Sequence, residues 1–133
     1  MTEDLKKVIE TSTFEVVEGD FVYAKVSELP SNPNIFMVSK DKDEITIVAK
    51  EEEVGNLEII ERNKETYSLI ALNISLPFYA VGFLSAVTNA IASAGMNILV
   101  VSTYSKDYIL VRKEHLDKSK DILINLGFKM KVT

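Results

Sequence analysis

Two residues of this 133-residue chain sit where binding chemistry can happen: Gly82, near the start of a helix, and Asp107, at a corner between strands. From Val81 the apolar side chains Val81, Leu84, Val87 and Ile91 recur at helical steps, while Ala86, Ala90 and Ala94 keep the flanks thin enough for close packing. Ala80 and Val81, where the N-cap is expected, carry no side-chain oxygen, so the first N–H groups of the helix lack an obvious partner. A ligand carboxylate can supply one, drawn by the backbone donors and the helix dipole, and Gly82 lets it approach with no Cβ in the way. The competing use is that Ser75 or water caps the helix and Gly82 only relieves packing. Asp107 lies between otherwise apolar strands, and its carboxylate suits an ammonium or a cationic side chain. Its ordinary alternative is turn chemistry, bonding nearby backbone N–H groups. Ser102 and Thr103 can donate or accept from neighbouring strand positions, or serve only as strand residues. Together these groups would hold both ends of a zwitterion.

Other chemistries find little footing. His115 is the one histidine, at a polar helix start between Glu114 and Leu116, where an exposed surface imidazole is expected. Without a second histidine or any cysteine, neither a metal site nor a nucleophile–base–orienter set can be drawn. Glu51, Glu52 and Glu53 lack the spacing of a calcium loop and read as a solvated helix start. There is no phosphate loop and no G-x-G-x-x-G. The expectation is a protein that is not an enzyme and carries no cofactor or metal.

The elements that position Gly82 and Asp107 follow from the pattern. Residues 67–75 alternate Leu69, Ala71 and Asn73 against Ile70, Leu72 and Ile74 as a strand, with Pro77 ending it. The helix from Gly82 is stopped by Gly95. Ile98, Leu99, Val100 and Val101 form an unbroken apolar run, which predicts a strand covered on both faces. A corner over 104–107 leads into an antiparallel strand over 108–111. Residues 114–126 place Leu116, Ser119, Leu123 and Leu126 on one helical side with Ile122 beside them, and Gly127 caps that helix. A last strand over 128–132 is expected to turn Phe128, Met130 and Val132 inward. The order from residue 67 is β-α-β-β-α-β, a ferredoxin-like unit with two helices on one face of an antiparallel sheet.

The first half reads as mostly β. Residues 1–12 form a short helix or a frayed end, with Leu5, Val8 and Ile9 at helical spacing. Residues 14–18 and 21–26 read as a hairpin about Gly19-Asp20. Residues 29–34, with two prolines, form a loop, and strands are expected over 35–38, 44–49 and 57–60, with one helical turn over 51–54. This half reads as a degenerate copy of the same unit, giving domains 1–65 and 66–133 that share a sheet or pack side by side.

The net charge of -5 is unevenly spread: residues 1–66 hold 8 basic and 16 acidic side chains, residues 67–133 hold 7 and 4. An acidic total argues against nucleic acid as a partner. The strand over 107–112, Asp-Tyr-Ile-Leu-Val-Arg, also lacks the paired stacking aromatics of an RNA-recognition domain. No apolar run is long enough for a membrane span and no secretory signal is evident, so a cytoplasmic location is expected.

The segment Gly82-Phe83-Leu84-Ser85, with AGMNI at 94–98 and STYSKDYILV at 102–111, resembles the CASTOR-like subfamily of ACT domains. DEITIV at 43–48 resembles that family's first-domain strand, and the resemblance spans roughly residues 21–130. It implies an α+β fold of two ferredoxin-like ACT-type units in tandem, the first degenerate and strand-rich, the second complete. It further implies a regulatory protein that binds an amino acid or another small effector between its units. Ligand contacts would come from Gly82, Phe83 and Ser85 at the helix start and from Ser102, Thr103 and Asp107, with Thr46 and Ile47 lining the facing side. ACT modules commonly dimerise, so a homodimer is the implied assembly. The chain departs from the family where the loop over 29–34 stands in place of a helix. The alternative reading is a ligand-independent interaction or dimerisation module, joined to itself or to another protein through a helix or an exposed sheet edge.

Overall fold

The computed structural model describes residues 1–75 and 81–132. The expected strand stop at Pro77 and cap position at Ala80 lie outside the described residues. The elements run α1 (Glu3–Glu10), β1 (Thr13–Val26), β2 (Met37–Lys40), β3 (Ile45–Lys50), β4 (Ile59–Arg62), β5 (Tyr67–Asn73), α2 (Phe83–Ser93), β6 (Leu99–Ser102), β7 (Asp107–Arg112), α3 (Leu116–Leu126) and β8 (Lys129–Met130), with short 3-10 turns at Glu51–Glu53 and Lys113–His115. Among the described residues eight strands form one sheet, ordered β2-β3-β1-β5-β7-β6, with β4 and β8 also pairing to β1. The architecture is α+β and ferredoxin-like.

β1 is the spine of that sheet. Its first half, Thr13 to Val17, runs antiparallel to β5, with Thr13 and Phe14 also parallel to β8. Its second half lies between β3 and β4. The hairpin expected about Gly19-Asp20 is therefore absent, and the two segments form one strand with a register shift between Val17 and Phe21. Gly19, with φ 120°, sits where the register with β5 shifts, a bulge that kinks the strand without reversing it. The first-half strand β1 thus separates β5 from β8, and the two halves of the chain are interleaved within a single sheet.

Alternation along the strands sorts the core by face. Phe14, Ile70, Leu72, Ile109 and Val111 point to a cluster closed by Leu5 and Ile9 of α1, Phe83, Val87 and Ile91 of α2, and Leu123 of α3. Phe128 joins it, its ring edge-on to Phe83 at 5.6 Å and to Phe14 at 6.4 Å. Phe21, Val48, Tyr67, Leu69 and Leu110 face the other way, where Phe36 lies over them, 4.9 Å from the ring of Tyr108. The segment between β1 and β2 therefore covers this face through Phe36, just beyond the proline loop, which is itself pinned by Asn32 Nδ2 donating to Glu53 Oε2 at 3.0 Å.

Three sequence expectations give way here. β6 is an edge strand whose residues alternate between half-buried and exposed, with Val100 41 % exposed, so its apolar run is not covered on both faces. Of the last strand only Phe128 turns inward, because β8 pairs at two positions and leaves Met130 and Val132 in solvent. His115 is half-buried rather than exposed, its carbonyl accepting from Ser119 Oγ at 2.8 Å while its Nδ1 is buried without a bonding partner among the described residues. The expected helix near the N-terminus is formed, capped by Thr2 Oγ1 accepting from the Leu5 N–H at 3.1 Å.

Candidate functional site

Helix α2 begins later than the sequence suggests: Val81, expected at the cap and on the apolar face, lies outside the helix and is 93 % exposed. Gly82 is its N-cap in the left-handed region, φ 87°, a conformation that costs a side chain but not glycine. Its carbonyl takes the first helical bond from the Ala86 N–H at 2.9 Å. Gly82 has no side chain to cap this end, and among the described residues no side-chain cap bond is made there. Ser75, the alternative cap, is engaged elsewhere: its hydroxyl lies 2.7 Å from Thr11 Oγ1 and donates to the Val8 carbonyl at 3.3 Å. At the far end α2 closes with Gly95 N–H to the Ala92 carbonyl and Met96 N–H to the Ile91 carbonyl, and Met96 is buried beside Ile91.

The corner between β6 and β7 is a tight turn, Thr103 N–H donating to the Lys106 carbonyl at 2.8 Å. The Thr103 hydroxyl reaches the same carbonyl at 3.3 Å. Ser102 and Asp107 are the last register pair of the two strands, and Ser102 Oγ donates to Asp107 Oδ1 at 2.5 Å. Asp107 thus takes a side-chain donor across the ladder in place of the backbone N–H groups expected of an ordinary turn aspartate.

Between the helix start and this corner lies a cavity of about 340 Å³, lined by Ile74, by Gly82 to Ser85 and by Thr103 to Asp107. Gly82, Phe83, Ser85, Thr103 and Asp107 therefore meet, and Ser102 reaches the site through its bond to Asp107. Phe83, 3 % exposed, joins this wall to the core. The described lining presents an uncapped helix start and Lys106 as positive elements and the Asp107 carboxylate as the negative one, over an apolar wall of Ile74, Phe83 and Leu84. Such a lining can pair both charges of a small zwitterion and cover an apolar side chain.

Thr46 and Ile47 are not among these residues. Thr46 lines a separate recess with Tyr23, Lys25 and Arg62, and Ile47 is fully buried against Val22 and Ala24. The described cavity is built from residues 74–107 alone. Ile74, Leu84, Tyr104, Ser105 and Lys106 were not singled out from the sequence; the corner over 104–107 was, and a recess at that end of the hairpin must be lined by the corner's own residues. Among the described residues, no group of three His, Cys, Asp or Glu side chains is placed to hold a metal ion. No helix of the described residues is long and apolar enough to cross a membrane.

The helix start and the hairpin corner fall in one stretch that is similar to a known family. Residues 63–125 match the ACT domain. The matched segment holds β5, α2, β6, β7 and most of α3, and so carries every described residue of the cavity. No curated protein matches the chain. Among solved structures, a Vibrio cholerae protein of unknown function, described as a possible transport protein, superposes with a TM-score of 0.80 at 23 % identity, over 94 % of this chain and 97 % of that one. A protein from Agrobacterium tumefaciens gives 0.71 at 21 % identity, over 92 % and 93 %. The ligand-free regulatory subunit of aspartate kinase from Thermus thermophilus gives 0.55 at 10 % identity, over 86 % and 95 %. In each case the similarity of fold extends beyond the matched segment to most of the chain.

Proposed function

We propose that this chain is a regulatory module that binds an amino acid in the cavity between the start of α2 and the β6–β7 corner. The observation that carries the reading is that the uncapped first turn of α2 and the Asp107 carboxylate line the same small cavity. The effector's carboxylate sits against the N–H groups that follow Gly82, and its ammonium sits against Asp107, which Ser102 holds in place. Phe83, Ser85 and Thr103 shape the rest. The ACT match supports a regulatory role, and the aspartate kinase subunit with this fold is itself named as regulatory. In this reading residues 1–65 and 66–133 are two ACT-like units interleaved through β1, and the site belongs to the second. Thr46 keeps a part in it only if a second copy brings it there; Ile47, fully buried within its own cluster, has none.

Thermal-shift and calorimetric titration with each of the twenty amino acids tests the proposal. At a hundredfold excess over its Kd the effector adds ~2.7 kcal/mol of stability. Asp107→Ala removes the response. No shift for any amino acid at millimolar concentration defeats it.

A second reading rests on a different observation. Among the described strands β6 is an edge strand, with its own Val100 exposed, and such an edge can pair with another strand without any ligand. A dimer whose formation does not respond to amino acids would favour it.

A further inference from the structure

Helix α1 stands outside the β-α-β-β-α-β order, yet it touches both flanks of the cavity. At one flank its C-terminal end holds Ser75, next to the lining residue Ile74: the Ser75 N–H donates to Ser12 Oγ at 3.0 Å, and the Ser75 hydroxyl meets Thr11 Oγ1 and the Val8 carbonyl. Ser12 is 1 % exposed and its own hydroxyl donates to the Val8 carbonyl at 2.6 Å, so the junction hangs on one buried, hydrogen-bonded serine, while Thr11 and Ser75 are exposed. At the other flank Leu5 Cδ2 lies 3.5 Å from where a Cβ on Gly82 would stand, and Leu5 shares a buried cluster with Phe83. Gly82 and Phe83 are themselves lining residues.

We propose that α1 is a latch for the cavity. Docked, it fixes Ile74 on one side and the start of α2 on the other; released, it leaves both without support and the cavity loses its shape. Release is attainable because α1 has only eight residues and two buried side chains, Leu5 and Ile9. Helices that short do not persist alone in water, and segments so lightly anchored open well below global unfolding. Leu5 and Ser75 are then positioning residues, acting on a ligand only through Gly82, Phe83 and Ile74. The latch's effect on an effector rests on the amino-acid reading above, whereas the latch itself does not.

Residue-resolved hydrogen exchange on the full chain, without added ligand, tests it. Leu5→Ala should speed exchange at Ala86 and Val87, in the first turns of α2, by tenfold or more, while Leu110 and Val111 of β7 stay within twofold of the wild type. Leu5→Met should restore the wild-type rates. Ser75→Ala, which removes only an exposed hydroxyl, should give the same pattern more weakly, and it decides the matter should Leu5→Ala fail to fold. Faster exchange at Val8 and Ile9 with Ala86 and Val87 unchanged would overturn the latch. Equal acceleration at Leu110 and Ala86 would also overturn it, since α1 would then support the whole fold and not the cavity. A failed amino-acid screen on the wild type leaves these rates untouched, so the two proposals fall separately.

Discussion

Ser102 donates its hydroxyl to the carboxylate of Asp107 at 2.5 Å, across the last rung of the β6–β7 ladder. The bond aims one oxygen of Asp107 along the strand pair, and among the described residues no donor is bonded to the other. An acceptor held in this way loses little orientational freedom when a cation arrives, which is how a preorganised group gains affinity.

Separating the two members of that pair should therefore separate stability from binding. Ser102→Ala and Asp107→Ala remove the same bond at a solvent-facing position, and each should change stability by about 1 kcal/mol or less in urea denaturation. Asp107→Ala should also abolish the thermal response to the effector, whereas Ser102→Ala should weaken it and leave it measurable. Equal loss of response in both would mean that the hydroxyl itself is a ligand contact.

Gly82 offers a test of backbone conformation with little steric complication. A Cβ there would meet only Leu5 Cδ2, at 3.5 Å, an ordinary contact, but φ is 87°. Gly82→Ala should destabilise by about 1–2 kcal/mol, the cost of a side chain in the left-handed region. Gly55 has no atom within 4 Å of its would-be Cβ and no positive φ, so Gly55→Ala should be neutral or slightly stabilising. Chemical denaturation of the two variants side by side checks both.

The corner before β3 should respond to acid. The Asp41 carboxylate accepts from the Asp43 N–H at 2.7 Å and the Glu44 N–H at 2.9 Å, and these bonds hold its pKa below the ordinary 3.8. Because the folded-state pKa is the lower one, the stabilisation is complete above the unfolded value and is lost as pH falls through the folded one. Asp41→Ala should thus lower Tm at pH 7, and the gap to the wild type should close at the acid end of the folded range. Tm measured for both proteins down the pH scale gives the result, and a gap that widens in acid would contradict it.

Periodic segments were legible in the sequence because burial imposes their period. The face of α2 with Val87 and Ile91, the α3 positions Ser119 and Leu123, and the alternation of Ile47 and Ala49 against Val48 all follow from residue type and spacing. Pairing partners were not legible. Nothing local in residues 13–26 says whether Gly19 reverses the chain or kinks it; that depends on β5 and β3 offering pairing on either side of the kink. The unbroken run at 98–101 misled for a related reason, since a strand's neighbours, and not its composition, decide whether it stands at an edge. At the cavity, Gly82 and Asp107 could be read because a missing cap and a lone charge between apolar strands are local anomalies. Leu5 and Ser75 could not, because their role arises only when the N-terminal helix lands beside α2.

The edge strand yields the prediction that bears on assembly. β6 pairs with β7 on one side and has no neighbour on the other among the described strands, and Val100 is 41 % exposed. Exposed apolar edges join other edges unless a charge interrupts them. If two copies associate through β6, Val100→Lys should turn a dimer into a monomer in sedimentation or light scattering. The fold should survive, because Val100 belongs to none of the buried clusters; a change of about 0.5 kcal/mol or less is expected for such a surface site. Leu123→Ala supplies the contrast: that side chain is fully buried among the three helices, and its truncation should cost about 2–5 kcal/mol without altering subunit number at concentrations where the chain stays folded. A dimer that persists in Val100→Lys would place the interface away from β6. A dimer lost in Val100→Lys with the amino-acid response intact would show that the cavity is complete within one chain.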